Sequence, residues 1–302
     1  MIRTYALEPA VASDGMALTT FVQGLGVENG RLMGEFPRNW VRDAYEHLNQ
    51  VSSVREQARI TELLKRISTD GLLKVRPGLH YDRGQTWLDN AIRHIESFDA
   101  AICADTTCDR TQDARVHPAS SLLKAPPYWH VERRVAFIAR RDNYVALLRP
   151  LLKLEKQVAI MDPYFNPTRQ DNMDGFVGIA SILKPNTSLV IHTSTKVDRQ
   201  GQLIPSEKWS ADCRTHLAGH TDGLARLVIV RWTTSSSMGH PHERWVITPR
   251  GGIELGRGIA VGSSENTATL LPATTTAQLW ADYGEPPFQE SKYAIKDTVD
   301  IN

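Results

Sequence analysis

The strongest constraint on the fold is an alternation of short apolar runs with helical patterns in the second half of the chain. Apolar runs of strand length at 158–161, 188–192 and 227–232 are separated by helical patterns at 173–183 and 206–217. Strands joined by helices predict βαβ crossovers, which build a parallel sheet covered on both faces. We therefore expect an α/β fold, an α/β/α sandwich with a mixed, largely parallel sheet. In such sheets the chemistry gathers where strands end in loops.

The length of the chain leaves room for a second domain. It has 302 residues, about twice the usual domain size. Residues 105–127 are rich in Thr, Asp, Ser and Pro and show no periodicity. We therefore place a linker at 111–130. It separates a smaller N-terminal α+β domain at 1–110, of unknown role, from the second domain at 131–302.

Composition and charge set the broad class. The chain has 35 basic and 34 acidic residues, a net charge of +1, and 41% hydrophobic residues. These are ordinary globular values, which exclude a disordered acidic or basic tail protein. The first twenty residues contain no secretory apolar run, and no stretch approaches the roughly 18 apolar residues that span a bilayer. We expect a cytoplasmic protein that does not bind membranes.

The cysteines predict neither a disulfide scaffold nor a metal site. The chain has three, Cys103, Cys108 and Cys213, which is too few for a disulfide framework. Cys103 and Cys108 could bind zinc only with His80 or His117, and buried or surface thiols are the preferred interpretation. We expect no metal and no cofactor.

A predicted β-hairpin carries the candidate chemistry. A polar loop leads into His242 and Arg244, the strand 245–248 follows, and a Gly-rich turn leads into a strand that begins at Ile253. Alternation along a strand puts His242 and Arg244 on one face. There an imidazole can attack a phosphorus atom while a guanidinium neutralises the developing charge. His240 is an alternative nucleophile, but His242 is preferred because a basic residue follows it.

These residues resemble the phospholipase D superfamily, whose signature is His-x-Lys-x4-Asp followed by a Gly-Ser-x-Asn segment. The resemblance covers about 131–270. The residues that carry it are His242, Arg244, the strand 245–247, the Gly-rich stretch 251–258, the segment 262–266 and the strand and turn 158–165. It implies a sheet of phospholipase D-like type.

The resemblance assigns roles to individual positions. His242 would be the nucleophile, and Arg244 replaces the family's Lys. The family's Asp position falls on Pro249, so Glu254 would substitute for it if the hairpin returns near His242. The remaining expected substrate-binding residues are Arg257, Ser263, Ser264, Asn266, Arg140 and Arg141.

The resemblance also implies a mechanism and a homodimer. One His attacks the phosphodiester to give a phosphohistidine, a second His protonates the leaving group, and water resolves the intermediate. This chain carries one such motif. Single-motif members of the superfamily dimerise so that two motifs meet at a two-fold axis. We therefore expect a homodimer with the two His242 motifs facing each other.

Other polar residues near predicted strand ends have alternative interpretations. His192 ends a strand, and a structural role is preferred for it. His216 and His220 lie one helical turn apart, but no carboxylate or cysteine completes a metal site, so a solvated helix face is preferred. Asp162 could orient a catalytic His, although Asp-Pro is also a strand-to-turn signal.

Local charge favours nucleic acid over phospholipid as the partner. The segment 132–156 carries seven basic and three acidic residues, which is the kind of cationic face that a phosphate backbone requires. A solvated helix face explains the same pattern equally well. Arg250 and Arg257 would add cations near the hairpin. We prefer DNA to RNA as the partner.

Two functions stay open. The first is a metal-independent phosphodiesterase, a nuclease acting as the effector of a bacterial defence system. The second is a catalytically inactive phospholipase D-like module that serves in dimerisation or nucleic-acid binding within a larger complex. The N-terminal domain would select a target or hold a partner such as an ATPase.

Overall fold

The computed structural model describes residues 1–51, 53–69, 78–109, 113–197, 200–233, 242–290 and 293–301. The chain divides into two compact units, Met1–Glu132 and Arg133–Asn302. No helix within these described ranges combines the length and the apolarity needed to cross a membrane.

Unit 1 alternates strands with helices. Its elements in chain order are β1 (Arg3–Leu7), α1 (Gly15–Gly24), β2 (Arg31–Gly34), α2 (Trp40–Glu46), α3 (Val54–Thr69), α4 (Trp87–Arg93), β3 (Ala100–Cys103), α5 (Asp105–Cys108) and β4 (Val116–Pro118), with 3-10 turns at Pro9–Ser13, His47–Gln50, Ile95–Ser97, Ala119–Lys124 and Pro127–Trp129. At the start of α3 the Glu56 amide donates to Ser53 Oγ at 3.4 Å.

The sheet of unit 1 corrects the predicted α+β class. Its four strands run in the order β2-β1-β3-β4, and all three pairings are parallel. Tyr5 and Leu7 of β1 pack into one apolar cluster and Ala6 into another on the opposite face. A parallel sheet covered on both faces is α/β architecture, because parallel neighbours need crossover connections, which α1 supplies between β1 and β2.

Of the predicted linker at 111–130, the described residues 113–130 are a folded part of unit 1. Val116–Pro118 pairs with β3, and Leu122 and Trp129 are buried in the unit's core. The boundary lies at residue 132 instead of 130. The polar composition of this stretch concealed a few well-spaced apolar residues, and these are enough to fix the segment against the sheet.

Unit 2 contains the larger sheet. Its elements are β5 (Arg134–Ile138), α6 (Arg141–Leu152), β6 (Gln157–Met161), α7 (Gln170–Ala180), β7 (Thr187–Ser194), α8 (Ser206–Leu217), β8 (Leu224–Trp232), β9 (Trp245–Thr248), β10 (Gly251–Leu255), β11 (Glu265–Leu270), α9 (Ala273–Tyr283) and β12 (Ile295–Asp300), with a 3-10 turn at Ala218–His220. The predicted hairpin is present as β9 and β10.

The sheet of unit 2 is mixed, but the expectation that it is largely parallel is wrong. Among the described residues its order is β12-β8-β7-β6-β9-β10-β11-β5. Only β6–β7 and β7–β8 are parallel pairs, and the other five are antiparallel. The helical crossovers that enforce parallel pairing end at β8, after which β9, β10 and β11 are joined without helices.

Helices cover both faces of this sheet. Val230 and Trp232 of β8 share an apolar cluster with Tyr283 of α9. Arg231, between them, points to the opposite face and lies 5.2 Å from the ring centroid of Trp209 in α8. The α/β/α layering therefore follows from the alternation of side chains along β8.

Candidate functional site

The candidate site lies at one edge of the unit 2 sheet. The carboxyl ends of β6 and β7 point to this edge. Because β9 runs antiparallel to β6, with Trp245 opposite Met161, β9 begins at the same edge. By the same rule β10 ends there, and β11 begins there. The sheet thus brings the hairpin motif next to the loops that follow β6 and β7, which is where open α/β sheets bind ligands.

Asp162 is the buried acid at the centre of this edge. It follows β6 directly and is 2% exposed. Its Oδ1 accepts the amide of Tyr164 and its Oδ2 that of Ile259, both at 2.9 Å. Burial raises the pKa of this carboxyl, while the two amides and the charges of Lys196 and Arg244 oppose the rise. Asp162 therefore joins two loops and supplies negative charge beneath the neighbouring cations.

Lys196 follows β7 and reaches toward the same turn. Its Nζ donates to Pro163 O and, at 3.2 Å, to Ser194 Oγ. Burial lowers its pKa from 10.5 to about 8, although Asp162 raises it. A lysine with such a pKa binds anions when protonated, and it is also suited to proton transfer near neutral pH.

Arg244 contributes the second cation. Its guanidinium carbon lies 4.8 Å from the ring centroid of Tyr164, and its Nη1 donates to Gly256 O at 2.9 Å. Its Nε is buried and has no hydrogen-bond partner in the described part of the chain. The guanidinium is therefore held by a ring and a carbonyl, and the carbonyl takes one of its five N–H donors.

The predicted nucleophile lies beside Arg244. His242 is exposed and precedes β9, which begins at Trp245. Two residues of extended chain span at most about 7 Å, so the imidazole and the guanidinium can approach one phosphate. We expected His242 and Arg244 to lie on one face of a strand. Both residues instead lie in the segment just before β9, which begins at Trp245. The alternative nucleophile, His240, lies outside the described residues.

The loop after β10 closes over Asp162 and is held by Asn266. Asn266 is buried, and its Oδ1 accepts the amides of Arg257 and Thr267, each at 2.8 Å. Its Nδ2 donates to Tyr144 Oη at 2.8 Å and to Gly258 O at 3.1 Å. All the polar atoms of this amide are thus bonded within the fold. The predicted role of Asn266 in binding substrate becomes a role in positioning the loop.

Gly258 is required by the close approach of this loop to Asp162. Its φ is +76°, and a Cβ at this position would lie 2.2 Å from Asp162 Oδ2. Only glycine combines that backbone conformation with that contact. The next amide, Ile259 N, can then reach the carboxylate.

Three predicted substrate-binding residues lie on this edge and are exposed: Arg257, Ser263 and Ser264. Ser264 O accepts the amide of Ala139, which sets the end of this loop beside β5. β9 and β11 are two inter-strand spacings apart, a span of about 10 Å. Along the order of strands, the two serines are therefore further from His242 than Arg257 is. Both are exposed at the rim of the site.

Glu254 does not replace the missing acid of the motif. It pairs with Trp245, whose side chain packs in the α9 cluster. Paired residues share a sheet face, and Arg244, one residue earlier, faces the other way. The expected catalytic role for Glu254 is wrong because the hairpin register puts it on the far side of the sheet.

The basic segment 132–156 is divided between two ends of unit 2. Arg140 and Arg141 begin α6 and lie at the candidate edge, whereas Lys156 precedes β6 at the opposite edge. Both arginines are exposed, and the Arg141 side chain also passes close to Gly178 of α7. β9 and β5 are three inter-strand spacings apart, about 14 Å. Arg140 can therefore contact an extended ligand at this edge but not the atoms next to His242.

Arg250 also differs from expectation. It lies in the turn between β9 and β10, at the opposite end of these strands, and forms an ion pair with Glu155. The prediction that Arg250 adds a cation near the reaction centre is wrong. Its charge is neutralised about four residues along β9 from the site, a distance of roughly 13 Å.

His192 has the structural role that the sequence favoured. It is fully buried, and its Nδ1 accepts from Trp232 Nε1 at 3.0 Å. With Nδ1 accepting, Nε2 carries the proton and donates to Tyr283 O at 2.8 Å. Burial lowers the pKa of this imidazole to about 4. His192 is therefore a neutral core residue at neutral pH.

The remaining candidate ligands do not converge on a metal. No group of three or more His, Cys, Asp or Glu side chains among the described residues is arranged to hold a metal ion. Cys103 Sγ donates to His117 O at 3.5 Å, and burial raises the pKa of the Cys103 and Cys108 thiols. Thiols in that state are poor nucleophiles and poor ligands. His216 is exposed on α8.

Sequence reasoning missed Lys196 and Tyr164. Both follow strands that were predicted, β7 and β6, and both lie within four residues of the strand end. The rule that ligands bind beyond the carboxyl ends of strands would have selected them. Their role depends on contact with Arg244 and Asp162, and the order of strands in the sheet decides that contact.

The comparisons with known proteins leave the site to be interpreted from its own geometry. No family model matches this chain, and no curated protein matches its sequence.

Proposed function

We propose that unit 2 is a metal-independent phosphodiesterase of phospholipase D-like type, a nuclease that acts through His242. The observation that carries the proposal is the convergence of two cations, Arg244 and Lys196, on one sheet edge beside an accessible imidazole. Two cations can hold the non-bridging oxygens of a phosphodiester while a nearby nucleophile attacks phosphorus.

The reaction would take two balanced steps. A ring nitrogen of His242 attacks phosphorus, the P–O bond to the leaving alcohol breaks, and the departing oxygen takes a proton from a second imidazole. Water then attacks the phosphohistidine, its proton passes to the second imidazole, and the P–N bond breaks. Arg244 and Lys196 stabilise the additional negative charge on the phosphoryl oxygens in both steps.

We assign the second imidazole to a second copy of the chain. Among the residues that the structure describes, the other histidines of unit 2 are the buried His192, His216 of α8 and His220 of the turn that follows it, and His240 lies outside them. We therefore propose a two-fold homodimer in which the partner subunit's His242 supplies the proton. Two equivalent residues meet naturally at a two-fold axis.

A nucleic acid is the proposed substrate because cations continue along the edge. Arg257 lies one strand from Arg244, and Arg140 lies three strands away. A polymer with regularly spaced phosphates can use such a row, whereas a single phospholipid headgroup cannot. DNA remains preferred to RNA as the polymer.

One observation favours a catalytically inactive alternative. Glu254 lies on the opposite sheet face from Arg244, and both oxygens of Asp162 accept backbone amides. Glu254 therefore does not supply the acid that the motif lacks at Pro249. A domain with this edge could bind nucleic acid, or dimerise, without cleaving anything.

The two functions differ in their response to His242. Wild-type protein, His242→Asn and the control His216→Asn are incubated in EDTA with bis-p-nitrophenyl phosphate, single-stranded and duplex DNA, and RNA. The phosphodiesterase proposal expects hydrolysis by wild type and His216→Asn, and at least about a thousandfold loss in His242→Asn. An acid-labile phosphoryl adduct on the protein would identify the intermediate.

Three outcomes would each reject one part of the proposal. If wild type binds nucleic acid with a salt-dependent affinity but cleaves no substrate as a dimer, the inactive alternative replaces the enzyme. If it cleaves at full rate as a monomer, the two-fold arrangement is wrong. If His242→Asn cleaves like wild type, His242 is not the nucleophile.

A further inference from the structure

Unit 1 contains a cavity of about 240 Å³ that has no part in the proposed phosphodiesterase. It opens between the turn after β1, the end of α2 and the segment that leads into α4. Its polar and aromatic walls are formed by Glu8, Asp43, Glu46, His47, Tyr81 and Trp87. All of these residues belong to unit 1, so the cavity is complete within it.

The cavity lies beside the topological switch point of the unit 1 sheet. From β1 the chain moves to β2 on one side, and β3 and β4 lie on the other. The loops after β1 and β3 therefore leave the sheet in opposite directions and open a crevice at its carboxyl edge. Ligands of open α/β sheets bind in that crevice.

A buried carboxylate marks this point. Glu8 is the first residue after β1 and is only 7% exposed. Its Oε2 accepts the amide of Ala104, the first residue after β3, at 2.7 Å, and its Oε1 accepts from Thr107 Oγ1 at 3.2 Å. These bonds fix the carboxylate across the crevice. Keeping an acid there costs solvation free energy that an apolar residue would not lose.

The electrostatics of the cavity select against anions. Three carboxylates line it, and Arg83 is the basic lining residue, with its Nη2 4.0 Å from Asp43 Oδ2. Burial is the main cause of a raised pKa of the Tyr81 phenol, and the charges of Asp43 and Glu8 raise it further. Tyr81 therefore lies close enough to two of these acids to be affected by their charge. Carboxylates placed this way accept hydrogen bonds from hydroxyl groups and repel phosphates.

The size and the lining residues of the cavity further limit the kinds of ligand that it can hold. Sites for drug-sized molecules usually enclose roughly 300–1,000 Å³, so about 240 Å³ suits a molecule no larger than a nucleoside. Tyr81 and Trp87 provide aromatic surface beside the acids. Carboxylates beside aromatic surface can accept hydrogen bonds from the hydroxyls of a molecule whose ring packs on that surface.

We propose that unit 1 binds a small neutral molecule with a ribose-type vicinal diol and a planar ring, that is, a nucleoside. Glu8 and Asp43 accept hydrogen bonds from the two hydroxyls, and Tyr81 packs against the ring. This proposal is independent of phosphodiester cleavage by unit 2.

The test measures binding of three probes to the full chain by titration calorimetry. Adenosine carries the diol, 2′-deoxyadenosine lacks one hydroxyl, and AMP adds a phosphate. We expect saturable binding of adenosine, and at least about tenfold weaker binding of each of the other two probes. Glu8→Gln and Asp43→Asn should each weaken adenosine about tenfold or more, while the control Glu62→Gln, on the exposed face of α3, should bind like wild type.

Several results would overturn the proposal. One is no saturable adenosine binding tighter than about 1 mM. Another is AMP or 2′-deoxyadenosine binding as tightly as adenosine, which would exclude the role of the acids or of the diol. A third is that Asp43→Asn unfolds as cooperatively as wild type and binds adenosine with unchanged affinity. Asp43 lies on α2, and its side-chain partners are the exposed Arg42 and Arg83. Cooperative unfolding of Asp43→Asn therefore separates a loss of ligand binding from a loss of structure.

Discussion

Replacing Lys196 by Met should stabilise unit 2 at neutral pH while it weakens the candidate site. Burial lowers the pKa of Lys196 from 10.5 to about 8, Arg231 and Arg169 act in the same direction, and Asp162 opposes them. The fold therefore holds this ammonium at a cost. Met has a similar length and fills the same space without a charge.

The sign and size of the effect follow from proton linkage. Between pH 8 and pH 10.5 the unfolded chain binds a proton at Lys196 that the folded chain has released. Stability therefore rises with pH across this window and is lowest below pH 8. A shift from 10.5 to about 8 corresponds to roughly 3 kcal/mol at pH 7.

Urea unfolding of the full chain at pH 7 and pH 9.5 measures this difference. Lys196→Met should exceed wild type by roughly 3 kcal/mol at pH 7 and by roughly 1 kcal/mol at pH 9.5, because wild type gains the remaining 2 kcal/mol as the lysine loses its proton. The control Lys208→Met, on the exposed surface of α8, should show no such dependence. Lys196→Met should also bind DNA more weakly than wild type.

Two results would refute this reasoning. If Lys196→Met is no more stable than wild type at pH 7, the partners of the ammonium compensate for its burial. If the difference in stability is the same at both pH values, the titration of Lys196 is not its cause. Either result would remove the argument that a charge is kept at this edge at the expense of stability.

Two further predictions concern stability. Gly258→Ala should lower the free energy of unfolding by about 2 to 4 kcal/mol, because a Cβ would combine a positive φ with a clash against Asp162. Gly262→Ala should be nearly neutral, because a Cβ there meets nothing within 4 Å. Urea unfolding of both variants checks this, and equal effects would contradict it. His192 has a pKa lowered to about 4, so the unfolded chain binds more protons between pH 6.5 and pH 4 and stability falls by roughly 3 kcal/mol as the pH drops through that window; His192→Gln should flatten this fall, and an unchanged acid-unfolding profile would contradict it.

Local pattern predicted the elements of unit 2 well. The helix expected at 206–217 is α8, and the hairpin strands expected from Trp245 and Ile253 are β9 and β10. In each element the apolar residues follow the period of that element. The arrangement of the strands was harder to predict. Nothing in the local pattern of β9, β10 and β11 distinguishes antiparallel from parallel neighbours, and this was the source of the error about the sheet.

The site was predicted only in part for the same reason. His242, Arg244 and Arg257 form a recognisable local motif. Lys196 joins them because β7 and β9 lie on either side of β6, a relation between segments almost fifty residues apart. Whether Glu254 returns near His242 depends on a register of one residue, which a single sequence does not fix.

The order of strands at the candidate edge also determines how a nucleic acid would cross the protein. From Lys196 after β7 to Arg140 after β5 there are five strand intervals, about 24 Å. The cations follow one another from strand to strand, so a bound backbone would run perpendicular to the strands. At about 3.4 Å per nucleotide, this path corresponds to roughly seven nucleotides of one strand. A dinucleotide could reach the reaction centre, but only a longer oligomer could reach both ends of the row.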